Sequence, residues 1–215
     1  MVYLGATALL VGCSAGSSTT TTSYPVTPSS SSAETPAPAT ATASGTASPG
    51  QGLLGLLGVL PIPAGATPWP TTINGTKNRI SFVKWTYNKS RWTEEEAMYA
   101  RRGFVSAIVR GWVNADGSQQ SIELVRFATP TGATSASYDV LSQKPTSARM
   151  LPDPAIGATG WSNPTLDTQG NASVIFTAVV GDTMMLVSEY TAATPDPAAA
   201  KALLEQQYNS LKNTF

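Results

Sequence analysis

The pattern of hydrophobic and polar positions in the second half of the chain predicts two β-hairpins. Each hairpin has two runs rich in Val, Ile, Phe, Trp or Met, separated by residues that favour tight turns. The first turn spans Asn114 to Gly117, and the second is Gly181-Asp182. The four predicted strands are residues 104–113, 120–127, 173–180 and 183–190, and residues 159–166 allow one more short strand.

Three segments have the spacing and end residues of helices. Residues 93–102 open with Thr93 and Glu96 in the arrangement of a capping box and carry arginines in the last turn. Residues 131–143 form a second helix, which ends before a proline. A third begins at Asp196-Pro197, and its apolar residues recur every three or four positions to the C-terminus.

Three further segments have weaker patterns. Residues 80–87 are rich in β-branched and aromatic side chains, which favours a strand, although a short helix would also fit. Residues 51–60 combine leucines at helical spacing with three glycines, which indicates a short helix or turn docked on the domain, or else a segment lying on a membrane. Residues 144–156 are rich in proline and predict a loop.

These elements together predict an α+β fold over residues 51–215. The expected architecture is a two-layer sandwich, in which an antiparallel sheet of two hairpins carries helices on one face. A helix follows each hairpin, so the domain has two similar hairpin-helix halves. The strand order and register do not follow from the sequence.

The first 50 residues differ sharply in composition from the rest. Residues 14–50 are almost entirely Ser, Thr, Ala, Pro and Gly, with Glu34 as their one charged residue. Such a segment buries too little apolar surface to offset the entropy of ordering. We therefore predict a disordered tether over residues 13–50, either a plain spacer or an O-glycosylated stalk. As a flexible coil it would span roughly 35 Å.

The N-terminus has the features of an export signal. Residues 1–12 are apolar, end in small residues and are too few to cross a bilayer, which needs about 20 apolar residues. They are followed by Cys13, the single cysteine of the chain. The alternative interpretation is that Cys13 is an incidental thiol in an apolar N-terminal tail. No Lys or Arg opens the segment, which departs from the usual signal peptide.

The sequence Leu10-Val11-Gly12-Cys13 resembles the lipobox of bacterial lipoproteins. This resemblance implies cleavage after residue 12, acylation of Cys13 with palmitate-type chains, and a place on the outer face of the cell membrane. The folded part, with its stretches PIPAGATPW, RGFVSAIVRGWVNADGSQQSIELVRF and GDTMMLVSEYTAATPDPAAAKALLEQQY, resembles secreted actinobacterial lipoproteins of uncharacterised function. It is less closely similar to Mog1/PsbP-like lipoprotein domains, which implies a non-enzymatic role.

Composition excludes several chemistries. The chain has no histidine, one cysteine and a formal net charge of zero. It therefore lacks the residues for Cys/His zinc sites and Ser-His-Asp catalysis, and it has no basic footprint for nucleic acid. Glu94 to Glu96 are explained as charges at a helix start, and Glu123 and Glu189 as the polar faces of strands. We expect no cofactor, no metal site, no catalytic residue and no enzymatic activity.

Aromatic residues supply the remaining candidate site. Most are explained by core packing, but Trp69 and Trp92 lie beside loop sequences, so we expect them to be exposed and to bind a ligand such as a sugar. The predicted function is that of an envelope domain that binds a protein, glycan or lipid. The alternatives are a sensory or assembly domain that acts with a membrane partner, and a hydrolase that uses two carboxylates.

Overall fold

The computed structural model describes residues 62–213. The predicted signal peptide (1–12), the tether (13–50) with Cys13, and the docked segment (51–60) all lie outside this range. None of the helices within it is both long and apolar enough to cross a membrane.

The described part of the chain contains eight strands and four α-helices. The strands are β1 (Thr67–Pro68), β2 (Gly75–Lys77), β3 (Phe104–Val113), β4 (Gln119–Phe127), β5 (Arg149–Asp153), β6 (Ala158–Asn163), β7 (Ala172–Val180) and β8 (Thr183–Thr191). The helices are α1 (Arg79–Thr86), α2 (Trp92–Arg101), α3 (Pro130–Ser142) and α4 (Pro197–Lys212), and a 3₁₀ turn (Lys89–Arg91) precedes α2.

All eight strands form one antiparallel sheet. The order is β1-β3-β4-β8-β7-β6-β5, and β2 pairs with β3 next to β1. Both predicted hairpins are present, and their turns place Gly117 and Gly181 at positive φ angles of 85° and 55°. The hairpins meet through β4 and β8, where Leu124 pairs with Met185. The α+β class and the antiparallel sheet are therefore confirmed.

The helices differ from the predicted one-face arrangement. One core cluster contains Met185 and Val187 of β8 together with α4, and the other contains Met184 and Leu186 together with α1, α2 and α3. Because side chains alternate along a strand, these clusters occupy opposite faces of the sheet. We name them the α4 face and the α1–α3 face. The central strand β8 has apolar side chains pointing to both faces of the sheet, so helices must pack against both faces.

Two segments fold differently from the first expectation. Residues 79–86 form helix α1 rather than a strand: Asn78 Oδ1 accepts a hydrogen bond from the Ser81 N–H at 2.9 Å and caps the helix, and Phe82 and Val83 are buried in the core. The proline-rich loop contains the edge strand β5.

The capping box predicted for α2 is also absent. The helix begins at Trp92, one residue earlier than expected, and makes no side-chain cap hydrogen bond. The preceding 3₁₀ turn already leads the chain into the helix, so Thr93 lies inside its first turn.

Candidate functional site

A cavity of about 190 Å³ lies over the α1–α3 face of the sheet. Its floor is formed by β4, β8, β7 and β6, and its walls by the residue after β1, the chain from the end of α1 to the 3₁₀ turn, the end of α3 and the β6–β7 loop. The aromatic lining residues are Trp69, Trp85, Tyr87, Trp161 and Tyr190, and the main polar ones are Arg91, Ser121, Glu123, Gln143, Asn163, Asp167, Ser173 and Ser188.

The register of the sheet brings the polar floor together. Ser121 of β4 pairs with Ser188 of β8, Ser188 pairs with Ile175 of β7, and Ile175 pairs with Trp161 of β6. These residues form one row across four strands. The other three strands, β6, β7 and β8, are far from β4 in the sequence, so this surface exists only in the folded sheet.

One wall depends on a close approach between Trp69 and the sheet. The Trp69 N–H donates to the Gly111 carbonyl at 2.9 Å, and Asn74 bonds both residues through its side-chain amide. A Cβ atom at position 111 would overlap the Trp69 ring, so glycine is needed here. The Trp69 ring also contacts that of Trp85, with centroids 5.9 Å apart. Trp69 is 8% exposed, so the expectation that it is exposed was wrong.

The facing wall is a network of polar side chains around Glu95. Arg91 Nη2 pairs with Glu95 Oε1, Arg91 Nη1 donates to Gln143 Oε1 at 3.0 Å, and Gln143 Nε2 donates to Glu95 Oε1 at 3.2 Å. The Arg91 guanidinium also lies 5.4 Å from the centroid of the Tyr87 ring. Burial raises the pKa of Glu95, and the charge of Arg91 opposes this rise.

Glu95 lies in the first turn of α2, as expected for a charge at a helix start. The residue is also 3% exposed and links α2 to the end of α3, which the sequence did not indicate. Because its Oε1 accepts from both Arg91 and Gln143, it holds two lining side chains in position.

Glu123 is a carboxyl group of the lining whose pKa is raised strongly by burial. It lies in the middle of β4 between Val109 and Leu186, is 2% exposed, and its Oε2 has no hydrogen-bond partner within residues 62–213. Burial raises its pKa to about 8, although a hydrogen bond with Ser121 lowers it in part. At neutral pH the carboxyl is therefore mostly protonated. Its side chain lies at a polar position of β4, as the sequence indicated, but that position is buried.

Glu189 does not join Glu123. It pairs with Gln120 on the α4 face, where its Oε2 accepts from Gln120 Nε2 at 3.2 Å and its Oε1 accepts from the Asp196 N–H at 3.1 Å. Asp167 does line the cavity, and its Oδ1 accepts from the backbone N–H groups of Gln169 and Asn171 at 2.8 and 3.0 Å.

The two tryptophans predicted to bind a ligand are separated by the fold. Trp69 lines the cavity, whereas Trp92 is not among the lining residues. The Trp92 Nε1–H donates to the Tyr87 carbonyl at 2.8 Å, and the Lys84 ammonium lies 5.4 Å from its ring centroid. Sequence reasoning missed Trp161 and Tyr190, which lie on strands and carried no loop signal.

Two of the lining residues carry hydrogen-bond donors that are buried and unpaired. In the described part of the chain, the indole Nε1 atoms of Trp69 and Trp161 are buried without a partner. Within the same range, no three His, Cys, Asp or Glu residues cluster in a way that would hold a metal ion.

No family model matches this chain, and no curated protein matches it. Among solved structures, the chain is similar to the extracellular domain of PknH from Mycobacterium tuberculosis, with 9% identity and a TM-score of 0.44, over 65% of this chain and 79% of that one. A likeness this distant says nothing about function. The resemblances to secreted lipoproteins and to Mog1/PsbP-like domains therefore remain predictions.

Proposed function

We propose that this chain is a non-enzymatic binding domain, held outside the cytoplasmic membrane by a lipid on Cys13, and that the cavity is where it binds a small envelope ligand. The observation that carries this proposal is the cavity itself, with aromatic walls over a floor of buried polar groups. Small-molecule sites combine a mostly apolar lining with a few polar groups that orient the ligand.

The dimensions of the cavity favour a ligand of modest size. Its volume of about 190 Å³ is below the roughly 300–1,000 Å³ of sites for drug-sized molecules. One ring, or the terminal unit of a larger molecule, matches this volume. One sugar residue of a glycan would fit into a cavity of this volume.

Trp85 of α1 and Trp92 of α2 provide a matched test of the cavity. Trp85 lines it, Trp92 does not, and both are half-buried. We expect the full-length Cys13→Ala chain to bind at least one probe from a panel of methyl glycosides, choline and acetate in saturation-transfer NMR. Trp85→Leu should weaken that binding tenfold or more, and Trp92→Leu should change it less than threefold.

The outcomes of this test are unambiguous. Equal losses in both variants would place the ligand elsewhere, and no binding of any probe by the Cys13→Ala chain would overturn the proposal. Circular dichroism of each variant establishes that it is folded.

The anchor is tested separately. Stable anchoring needs two lipid signals, since one acyl chain gives only reversible binding. We expect the wild-type chain to fractionate with membranes and to carry a diacylglyceryl mass, and Cys13→Ala to lose both. An unmodified Cys13 in a chain that stays out of the membrane fraction would refute this part of the proposal.

A carboxylate-dependent hydrolase is the second candidate, because Glu123 and Asp167 line the same cavity and the pKa of Glu123 is raised to about 8. Against it, Asp167 is engaged in its own loop. Release of p-nitrophenol from p-nitrophenyl glycosides, abolished by Glu123→Gln, would establish this activity. We expect no release above the background rate.

A further inference from the structure

We infer that the cavity binds an uncharged, hydroxyl-rich ring, such as one sugar residue of a glycan, and that Glu123 determines this specificity. The inference rests on the proposed function, because it names the class of ligand for the same cavity. Three features of the cavity carry it: the shape of its aromatic walls, the hydrogen-bonding groups left unpaired, and the balance of charge.

The lining offers flat apolar surfaces in the form of indole rings. Trp69 and Trp85 form one wall with their rings tilted at 55°, and Trp161 extends the floor on β6. An indole presents a large apolar face, against which the C–H face of a pyranose can lie. The arrangement buries apolar area while leaving the hydroxyl groups at the ring edge free to reach polar partners.

The unpaired groups of these lining residues favour a ligand that brings hydrogen-bond acceptors. An indole N–H only donates, and those of Trp69 and Trp161 are buried without a partner in the described chain. A protonated Glu123 can both donate and accept. Hydroxyl groups also do both, so a sugar complements all three side chains. A buried polar group without a partner lowers stability, and a ligand that pairs with it would recover that loss.

The charges in the lining oppose an anionic ligand. Arg91 is the one cationic side chain that the described lining contains, and it is paired with Glu95 and Gln143. Asp167 lines the same cavity and would repel an anion. A carboxylate or phosphate would therefore find no free counter-charge.

A cationic ligand fits less well than a neutral one. Aromatic rings and a carboxyl group suit a quaternary ammonium ion. However, an ammonium ion offers no acceptor to the indole N–H groups of Trp69 and Trp161. A cation would also bind best to the ionised form of Glu123, so Glu123 would have to release its proton when the cation binds. The neutral ring satisfies more of the buried groups without a change of charge.

The test compares three chemical classes on the full-length Cys13→Ala chain at pH 7. Methyl glycosides of glucose, galactose, mannose and N-acetylglucosamine represent neutral rings, choline represents cations, and acetate represents anions. We expect at least one glycoside to bind, with choline and acetate at least tenfold weaker. Tighter binding of choline or acetate overturns this inference but leaves the proposed binding function intact, whereas binding of no probe overturns both.

Two substitutions then test the role of Glu123. Glu123→Gln keeps a neutral group that donates and accepts, so glycoside binding should change less than threefold. Glu123→Leu removes both capacities and should weaken binding tenfold or more, as the loss of one buried hydrogen bond does. Raising the pH from 7 to 9.5 should weaken binding in the Cys13→Ala chain and leave Glu123→Gln unaffected. Wild-type affinity in Glu123→Leu would overturn the assignment.

Discussion

Glu123 should make the stability of the ligand-free domain depend strongly on pH. In the unfolded chain its carboxyl has its ordinary pKa of 4.5, and burial raises that pKa to about 8 in the folded chain. Between these values the folded state holds a proton that the unfolded state has released. The contribution of Glu123 to the free energy of unfolding is therefore highest below pH 4.5, falls as the pH rises, and levels off above pH 8.

The size of this effect follows from the interval between the two pKa values. Each pH unit within it removes about 1.4 kcal/mol from the free energy of unfolding. Across the whole window from 4.5 to 8 the loss reaches roughly 5 kcal/mol. Because small domains are stable by only about 5–15 kcal/mol, this single carboxyl removes a large share of the total at alkaline pH.

Urea unfolding of the Cys13→Ala chain from pH 4.5 to 9.5, with and without Glu123→Gln, measures this contribution. Glutamine is neutral at every pH, so the variant should match its parent within about 1 kcal/mol at pH 4.5. It should be more stable by several kcal/mol at pH 9. Subtracting the two curves removes other titrating groups, such as Glu95, whose pKa is also raised.

Glu205→Gln provides the control for the loss of one carboxylate. Glu205 lies on α4, over the opposite face of the sheet, and forms a solvent-exposed pair with Lys201. Its substitution should change stability by less than about 1 kcal/mol at any pH. If the Glu123→Gln curve ran parallel to its parent from pH 4.5 to 9, then Glu123 would be solvated or paired, and the reasoning would be wrong.

Two further substitutions test the packing that supports the cavity and the helix behind it. Gly111→Ala places a methyl group against the Trp69 ring and should destabilise the domain by about 1–3 kcal/mol in urea unfolding, with a change in tryptophan fluorescence; unchanged stability would mean that the ring does not lie on β3. Asp196 caps α4, because its Oδ1 accepts from the N–H groups of Ala198 and Ala199 at 2.9 and 3.3 Å. Asp196→Ala removes this cap and should lower the free energy of unfolding by about 0.5–2 kcal/mol, whereas Asp196→Asn should lower it less.

The hairpins could be predicted because local residues determine them. The strand predicted at 104–113 has the same bounds as β3, since turn residues mark its end and apolar residues fill it. The helix α1 could not be predicted with the same certainty. Its β-branched and aromatic side chains suit a strand, and the decision depends on the Asn78 cap and on the packing of Phe82 and Val83 beneath α2.

The cavity is less predictable because it is assembled from distant parts of the chain. Ser121 and Ser188 become neighbours only through the pairing of β4 with β8, and Trp161 joins them through β6 and β7. Register between distant strands depends on the packing of the whole sheet, which no local pattern encodes. Trp69 was recognisable as a candidate from its loop position, but its burial depends on Gly111, which is 42 residues later.

The composition of β4 supports a functional reason for its polar face. Ile122 and Leu124 are fully buried on the α4 face, and alternate positions carry Ser121 and Glu123. Packing alone would favour apolar residues there, since a buried carboxyl lowers stability at neutral pH and gains no ion pair from the described residues. Residues that cost stability are frequent where a protein binds its ligand. Glu123→Leu should therefore stabilise the domain above pH 7 while it weakens binding of the neutral ring tenfold or more. A variant that gained stability and kept its affinity would separate the two effects and leave the buried carboxyl without a role in binding.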